Sequence, residues 1–334
     1  MVASPLETAL AQRGVLVLDG AMATELEGHG ADLSGGLWSA RLLLERPDLI
    51  AQVHRDYFAA GADVAITASY QASVTGFVSS GVDTAQAERL MVQSVSLARE
   101  ARDTYWASAT AADPELAQRR GVPLVATSVG PYGAVLADGS EYRGDYAVGH
   151  AELVGFHVER LEVLVRAGVE VLACETLPSL AEARALVEAL AGWPELTAWV
   201  SFSARNDRQV SDGTPLSECA AYLHEQPQVV AVGVNCTPVQ HISPLIAELV
   251  AATDKPIVVY PNSGEVYDAG RQGWLGSRSG ADFGRLARQW YDEGARLIGG
   301  CCRTRPVEIR SVSTALAEVA VRPGPATRSG PDNR

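Results

Sequence analysis

The sequence predicts a (β/α)₈ TIM barrel, a single domain with long βα loops at its C-terminal face, and three observations carry that prediction. Eight short apolar runs punctuate the 334 residues, each ending in small or polar residues. Helix-period patterns separate the runs with no change of style along the chain. Nearly every reactive residue falls just after a run, where a barrel of this kind places its active site.

In order, the runs are 15–18 before Asp19-Gly20, 64–66 before Thr67, 124–126 before Thr127, and 169–173 before Cys174-Glu175. They continue with 198–200 before Ser201, 229–234 before Asn235-Cys236, 257–260 before Pro261-Asn262, and 295–298 before Gly299-Gly300. These runs are continuous rather than alternating, as expected of parallel strands buried on both faces. Between them, Leu49, Ile50, Val53, Tyr57 and Phe58 mark a helix over 47–60, and Leu90, Met91, Val95 and Ala98 another over 85–105. Further helices are expected over 146–167, 179–191, 216–224, 242–252 and 281–293. An open doubly wound sheet is the alternative, but such sheets rarely reach eight units. The barrel occupies 1–320, and the Pro/Gly/Ser-rich stretch 321–334 reads as a disordered tail. The loops 130–145 and 262–280 are long enough to imply function.

Composition narrows the partners. With 27 basic and 40 acidic residues the net charge is −13, which disfavours nucleic acid and anionic membranes. No run approaches the length of a membrane span, and the first residues lack the pattern of a secretion signal. Five cysteines in a large chain suggest a reducing, cytoplasmic setting rather than disulfides. Small-molecule substrates are therefore expected, and oligomeric state is not legible.

Three of the cysteines end strands: Cys236 after the sixth run, and Cys301 and Cys302 after the eighth. With no histidine beside them they read as a three-thiolate Zn²⁺ site with an open fourth position, or else as small buried hydrophobes. The buried reading suits Cys174 and Cys219. Gly299-Gly300 would let the chain leave strand geometry so that two adjacent thiols face one ion. Asp19 and Glu175, at the ends of the first and fourth runs, read either as helix caps and surface carboxylates or as a pair converging on the barrel mouth. No His-x-His or His-Glu-x-x-His occurs, which argues against the main zinc hydrolase designs.

Asp19-Gly20-Ala21-Met22-Ala23-Thr24-Glu25-Leu26, Cys174-Glu175-Thr176-Leu177-Pro178, Gly233-Val234-Asn235-Cys236, Tyr260-Pro261-Asn262-Ser263-Gly264-Glu265 and Gly299-Gly300-Cys301-Cys302-Arg303-Thr304 resemble the homocysteine S-methyltransferase family. The resemblance spans about 14–318, and the stretch 137–146 is most similar to the branch that uses S-methylmethionine. It implies a (β/α)₈ barrel whose zinc, on Cys236, Cys301 and Cys302, binds homocysteine sulfur. It also implies that Asp19 and Glu175 clamp the substrate ammonium. Backbone N–H groups of Gly20, Ala21 and Met22 are candidates for the substrate carboxylate, and Asn235 for a further substrate contact. Glu141 and Tyr142 are candidates for the methyl donor. Tyr132, Tyr146, Tyr267 and Trp274, with Asp138 and Glu265, could complete a cation site. The implied reaction moves a methyl group from S-methylmethionine or S-adenosylmethionine to homocysteine, forming methionine. A betaine-dependent enzyme is the alternative, and a zinc hydrolase or a non-enzymatic zinc protein would lie further off.

Overall fold

The computed structural model describes residues 3–33, 38–264, 266–268, 273–275, 282–317 and 319. Its main sheet has eight parallel strands: β1 (Leu16–Val17), β2 (Val64–Ile66), β3 (Leu124–Val129), β4 (Val171–Leu177), β5 (Ala198–Phe202), β6 (Val229–Pro238), β7 (Ile257–Asn262) and, after a small hairpin, β10 (Ala295–Ile298). The order β1-β10-β7-β6-β5-β4-β3-β2 runs once around, and a parallel bridge between Leu18 and Val64 joins its two ends. Asp63 N–H donates to Val17 O and Asp19 N–H to Val64 O across the same seam. The predicted barrel is thus the observed one.

Two apolar layers hold it. Inside, Leu16, Leu18, Val64, Ala126, Ala173, Trp199, Val258 and Leu297 fill the barrel. Outside, alternate strand residues such as Val17, Leu172, Cys174, Val200 and Val259 pack on the helix ring with Ile50, Met91, Leu186 and Leu245. Continuous apolar strands follow directly, because both faces need covering.

An unpredicted helix, Pro5–Arg13, closes the N-terminal end. Ser4 and Glu7 form a reciprocal capping box at its start, and Leu6 inserts into the inner layer with Ala9 and Leu10 behind it. The expected helix over 146–167 begins later, at His150–Val165. The expected helix over 85–105 runs further, as Thr84–Ala112, because Asp83 caps it and no glycine or proline interrupts it. In the loop 262–280, β8 (Val266–Asp268) and β9 (Gly273–Leu275) pair as an antiparallel hairpin. Only that backbone is described for Tyr267 and Trp274. Glu265 and the tail 321–334 lie outside the described residues.

Candidate active site

All three predicted thiols meet at the C-terminal mouth. β7 alone separates β6 from β10, so Cys236 at the end of β6 faces Cys301 and Cys302 just beyond β10. Cys236 Sγ stands 2.9 Å from Cys301 Sγ and 3.6 Å from Cys302 Sγ, and the last two are 4.0 Å apart. Sulfurs around one tetrahedral ion with bonds of about 2.3 Å sit about 3.8 Å apart. Two of the separations bracket that value, and small side-chain rotations would open the third. Cys236 and Arg303 reach this arrangement in left-handed backbone (φ 47° and 68°), unusual for residues with a Cβ.

Gly299 and Gly300 act otherwise than expected. Neither has positive φ. Each allows close approach instead: a Cβ at 299 would meet Leu18 Cβ at 2.6 Å, and one at 300 would meet Thr304 Oγ1 at 2.4 Å. Gly300 N–H donates to Asp19 O and Cys301 N–H to Pro261 O, so the thiol pair is pinned between β1 and β7.

Hydrogen bonding from Cys301 and Cys302 draws the Cys236 thiol well below its ordinary pKa, and the same contacts push those two above theirs. Three thiols this close cannot all ionise unaided, whereas a soft dication among them would let every one do so. The donor set therefore fits zinc. Cys174 and Cys219 are fully buried in the outer layer, where desolvation raises Cys174 beyond the usual range and Cys219 to about 12.

The two predicted carboxylates also converge. Asp19 Oδ2 accepts from Ile66 N–H at 2.8 Å, and Glu175 Oε1 accepts from the Ser128 hydroxyl. Both are nearly inaccessible, and desolvation raises both, Asp19 well above the carboxylate range and Glu175 to about 7. The charge of Glu175 raises Asp19 further. Two buried carboxylates with raised pKa and, among the described residues, no cationic partner invite a cation.

Other candidates fall differently. Ala21 N–H already approaches Thr304 O and Oγ1, both at 3.3 Å, and Tyr57 holds Ala21 O at 2.9 Å. Gly20 lies beneath them against Tyr57 and Thr304, and Met22 opens the short helix Met22–Gly28. Asn235 is fully buried and bonded to Thr176 and Ser201, so it braces the mouth from within. Glu141 and Tyr142 do reach the thiols' surroundings. The Tyr142 hydroxyl is 3.9 Å from Cys236 Sγ, and Glu141 has a buried carboxylate oxygen without a partner among the described residues. Tyr132 and Tyr146 instead pack on each other edge-on, 5.4 Å between centroids, behind the loop, and Asp138 caps Ser140. Sequence reasoning missed Ser128, Thr176, Tyr70 and Tyr260. Burial raises the two tyrosines, with charge from Cys236 adding at Tyr70 and charge from Glu175 at Tyr260. Thr176 and Tyr260 lie in the motifs that carry the family resemblance, and Ser128 and Tyr70 lie shortly after apolar runs, the signals that could have found them.

Such a mouth defines the class first: a (β/α)₈ barrel enzyme whose chemistry lies at the strand C-termini. A family model described as homocysteine S-methyltransferase matches residues 16–316. Homocysteine S-methyltransferase YbgG of Bacillus subtilis is 53% identical over 310 residues, covering 93% of this chain and 97% of that protein. Among solved structures, the homocysteine methyltransferase MmuM from Escherichia coli in its metallated form aligns with a TM-score of 0.82 at 46% identity, over 93% of this chain and 99% of that one. Its oxidized form aligns with the same TM-score at 47% identity. The chain belongs to the homocysteine S-methyltransferase family and is a methyltransferase. Among the described residues no helix is long and apolar enough to cross a membrane.

Proposed function

We propose that the enzyme methylates the sulfur of homocysteine, using a sulfonium donor (S-methylmethionine or S-adenosylmethionine) and a zinc ion held by Cys236, Cys301 and Cys302. The observation that carries this reading is the convergence of three thiols, with sulfurs 2.9–4.0 Å apart, beside two buried carboxylates. Zinc, when bound, supplies the positive charge that keeps a coordinating thiol deprotonated at neutral pH.

The protein does the rest by orientation. Asp19 and Glu175 take the homocysteine ammonium, and the ammonium in turn holds both as carboxylates. Ile66 N–H and the Ser128 hydroxyl fix their oxygens, so the amino acid head has one seat. From the other side, Tyr142 and the unpartnered carboxylate oxygen of Glu141 face the methyl donor. A sulfonium beside Glu141 relieves the cost of that buried oxygen. Transfer forms an S–CH₃ bond on homocysteine and breaks one on the donor, which leaves as a neutral thioether and needs no proton. An anion and a cation become two neutral molecules, so a mouth poor in water favours the transition state.

The deciding experiment offers S-methylmethionine, S-adenosylmethionine and betaine in competition to the zinc-loaded enzyme with homocysteine, and follows each demethylated product. Sulfonium consumption with methionine formation is expected. Methionine formed chiefly from betaine would overturn the donor, and zinc-independent turnover would overturn the metal.

A further inference from the structure

The loop that carries Glu141 and Tyr142 has a buried support that reaches neither substrate nor sulfur. Glu182 and His157 are both completely inaccessible. Glu182 lies in the first turn of the helix Leu180–Leu190, where Ser179 caps its N–H. Its Oε1 accepts from Tyr132 N–H at 2.5 Å, at the start of the loop's short helix Tyr132–Leu136, and contacts His157 Nε2 at 3.2 Å. His157 belongs to the helix His150–Val165, which also presents Phe156 and Arg160. Phe156 meets the Tyr132 ring edge-on at 5.1 Å, and Arg160 lies over Phe156 at 5.3 Å. Arg160, itself fully buried, donates to Gly130 O at 2.7 Å and to Ser69 O and Tyr70 O at 3.1 and 3.0 Å.

The loop transmits whatever this support fixes. At Gly133 a Cβ would stand 2.5 Å from Glu141 N and 2.7 Å from Tyr146 Cε1. Residues 140–142 therefore ride directly on the turn that Glu182 anchors. A carboxylate buried this deeply needs a reason beyond packing, since an apolar residue would fill the space at lower cost. Here it satisfies the backbone N–H of Tyr132.

We infer that Glu182 is a positioning residue for the methyl-donor half of the site: its reach to Tyr132 N–H sets the height of Glu141 and Tyr142 over the thiols, with Arg160 bracing the same loop. The inference rests on the reading that Glu141 and Tyr142 face the donor. Reach, not charge, is what matters. Glu182→Gln keeps an acceptor at the same length, whereas Glu182→Asp keeps the charge and withdraws the oxygen by one methylene.

The test measures KM for S-methylmethionine and for homocysteine separately in zinc-loaded Glu182→Gln, Glu182→Asp and Glu182→Ala, with metal content and thermal midpoint alongside. Glu182→Asp and Glu182→Ala should raise the donor KM about tenfold or more, with homocysteine KM and zinc nearly unchanged, as displacement of about an ångström does. Glu182→Gln should stay within about threefold of the parent. A more severe effect of Gln than of Asp, equal shifts in both KM values, or a lower midpoint with unchanged donor KM would each overturn the inference. Should Glu182→Ala fail to fold, the order of Gln and Asp decides alone. Glu141→Gln and Tyr142→Phe, run in parallel, separate the two levels: if they leave the donor KM unmoved, the donor pocket itself is misassigned; if they raise it and Glu182→Asp does not, only the positioning role fails.

Discussion

Asn235 holds Thr176 in a conformation that a β-branched residue rarely adopts. Thr176 has φ 60°, and the Asn235 amide clasps it from both sides: Oδ1 accepts from Thr176 N–H at 2.8 Å, and Nδ2 donates to Thr176 Oγ1 at 2.7 Å. The pair joins β6 to β4. Asn235 precedes the thiol of Cys236, and Thr176 follows the carboxylate of Glu175, so one amide ties the sulfur cluster to the carboxylate pair proposed to hold the substrate ammonium. The register of β4 against β5 shifts between Cys174 and Leu177, which marks where the strand turns Glu175 into the mouth while Cys174 stays in the outer layer.

Asn235→Ala should therefore damage both stability and binding. It strips partners from Thr176 N–H and leaves Ser201 with Tyr260 alone. Each buried group left unpaired costs about 1–3 kcal/mol, so a loss of about 2–4 kcal/mol is expected. The urea midpoint reads that loss. Homocysteine KM should rise too, because Thr176 is then free to leave its left-handed conformation and carry Glu175 with it. A midpoint unchanged from the parent would show that the clasp is idle.

Metal content sorts the five cysteines. The parent should hold about one zinc per chain, and Cys236→Ala, Cys301→Ala and Cys302→Ala should each lower zinc well below that and abolish turnover. Cys174→Ala and Cys219→Ala should keep both, at a stability cost of about 1–2 kcal/mol for small cavities in the outer layer. Metal analysis after exhaustive dialysis distinguishes the two groups. Full zinc in the Cys301 or Cys302 variant would mean that the ion sits elsewhere.

Much of this was legible beforehand, for identifiable reasons. Continuous apolar strands report burial on two faces, so the eight runs yielded the barrel. Residues after strand ends report the mouth, so Asp19, Glu175 and the three thiols could be read as one site. Asn235 stands beside the cluster with its amide bonded to Thr176 and Ser201, and a sequence does not say whether a strand-end amide points into the mouth or back into the wall. Ala21 went the same way: its N–H looks available until Thr304, 283 residues on, comes across to meet it. Glu182 was invisible, since a Ser-x-x-Glu start such as Ser179 to Glu182 reads as an ordinary helix cap. The Pro5–Arg13 plug was missed because its few apolar residues cover only the end of the barrel.

The pH dependence follows from burial. Desolvation raises the Glu175 carboxyl from 4.5 to about 7, with Ser128 opposing. Between those values the folded chain binds a proton that the unfolded chain lacks. This group's contribution to stability is thus fullest below about 4.5 and is lost as pH rises through about 7. On the proposed clamp, homocysteine inverts the preference, because its ammonium demands the carboxylate. Homocysteine KM should climb as pH falls below about 7, and calorimetry in buffers of different ionisation heat should detect proton release on binding. Glu175→Gln should remove that component and raise KM about ten- to a hundredfold at neutral pH, the worth of a charge-assisted hydrogen bond. A slope that survives unchanged in Glu175→Gln would assign it to another group.

The donor side gives the sharpest chemical contrast. Both a sulfonium and the quaternary ammonium of betaine suit a site with aromatic walls and a carboxylate, so cation recognition by itself cannot rank them. Leaving-group chemistry can: a sulfonium departs as a neutral thioether more readily than an ammonium departs as an amine. S-methylmethionine also brings a second amino acid head, for which the buried Glu141 oxygen offers a partner. Glu141→Gln and Tyr142→Phe should each raise the S-methylmethionine KM about tenfold while homocysteine KM and zinc content stay near the parent's, because neither residue touches Asp19 or Glu175. The two variants should differ in kind. Glu141→Gln removes a charge and should weaken every cationic donor alike. Tyr142→Phe removes only the hydroxyl 3.9 Å from Cys236 Sγ, so it should act on kcat as well, through the sulfur's surroundings. Initial rates with each donor over a range of concentrations read both effects. Variants that leave sulfonium kinetics untouched would remove the loop 130–145 from the donor site, while the thiols and the ammonium clamp would stand.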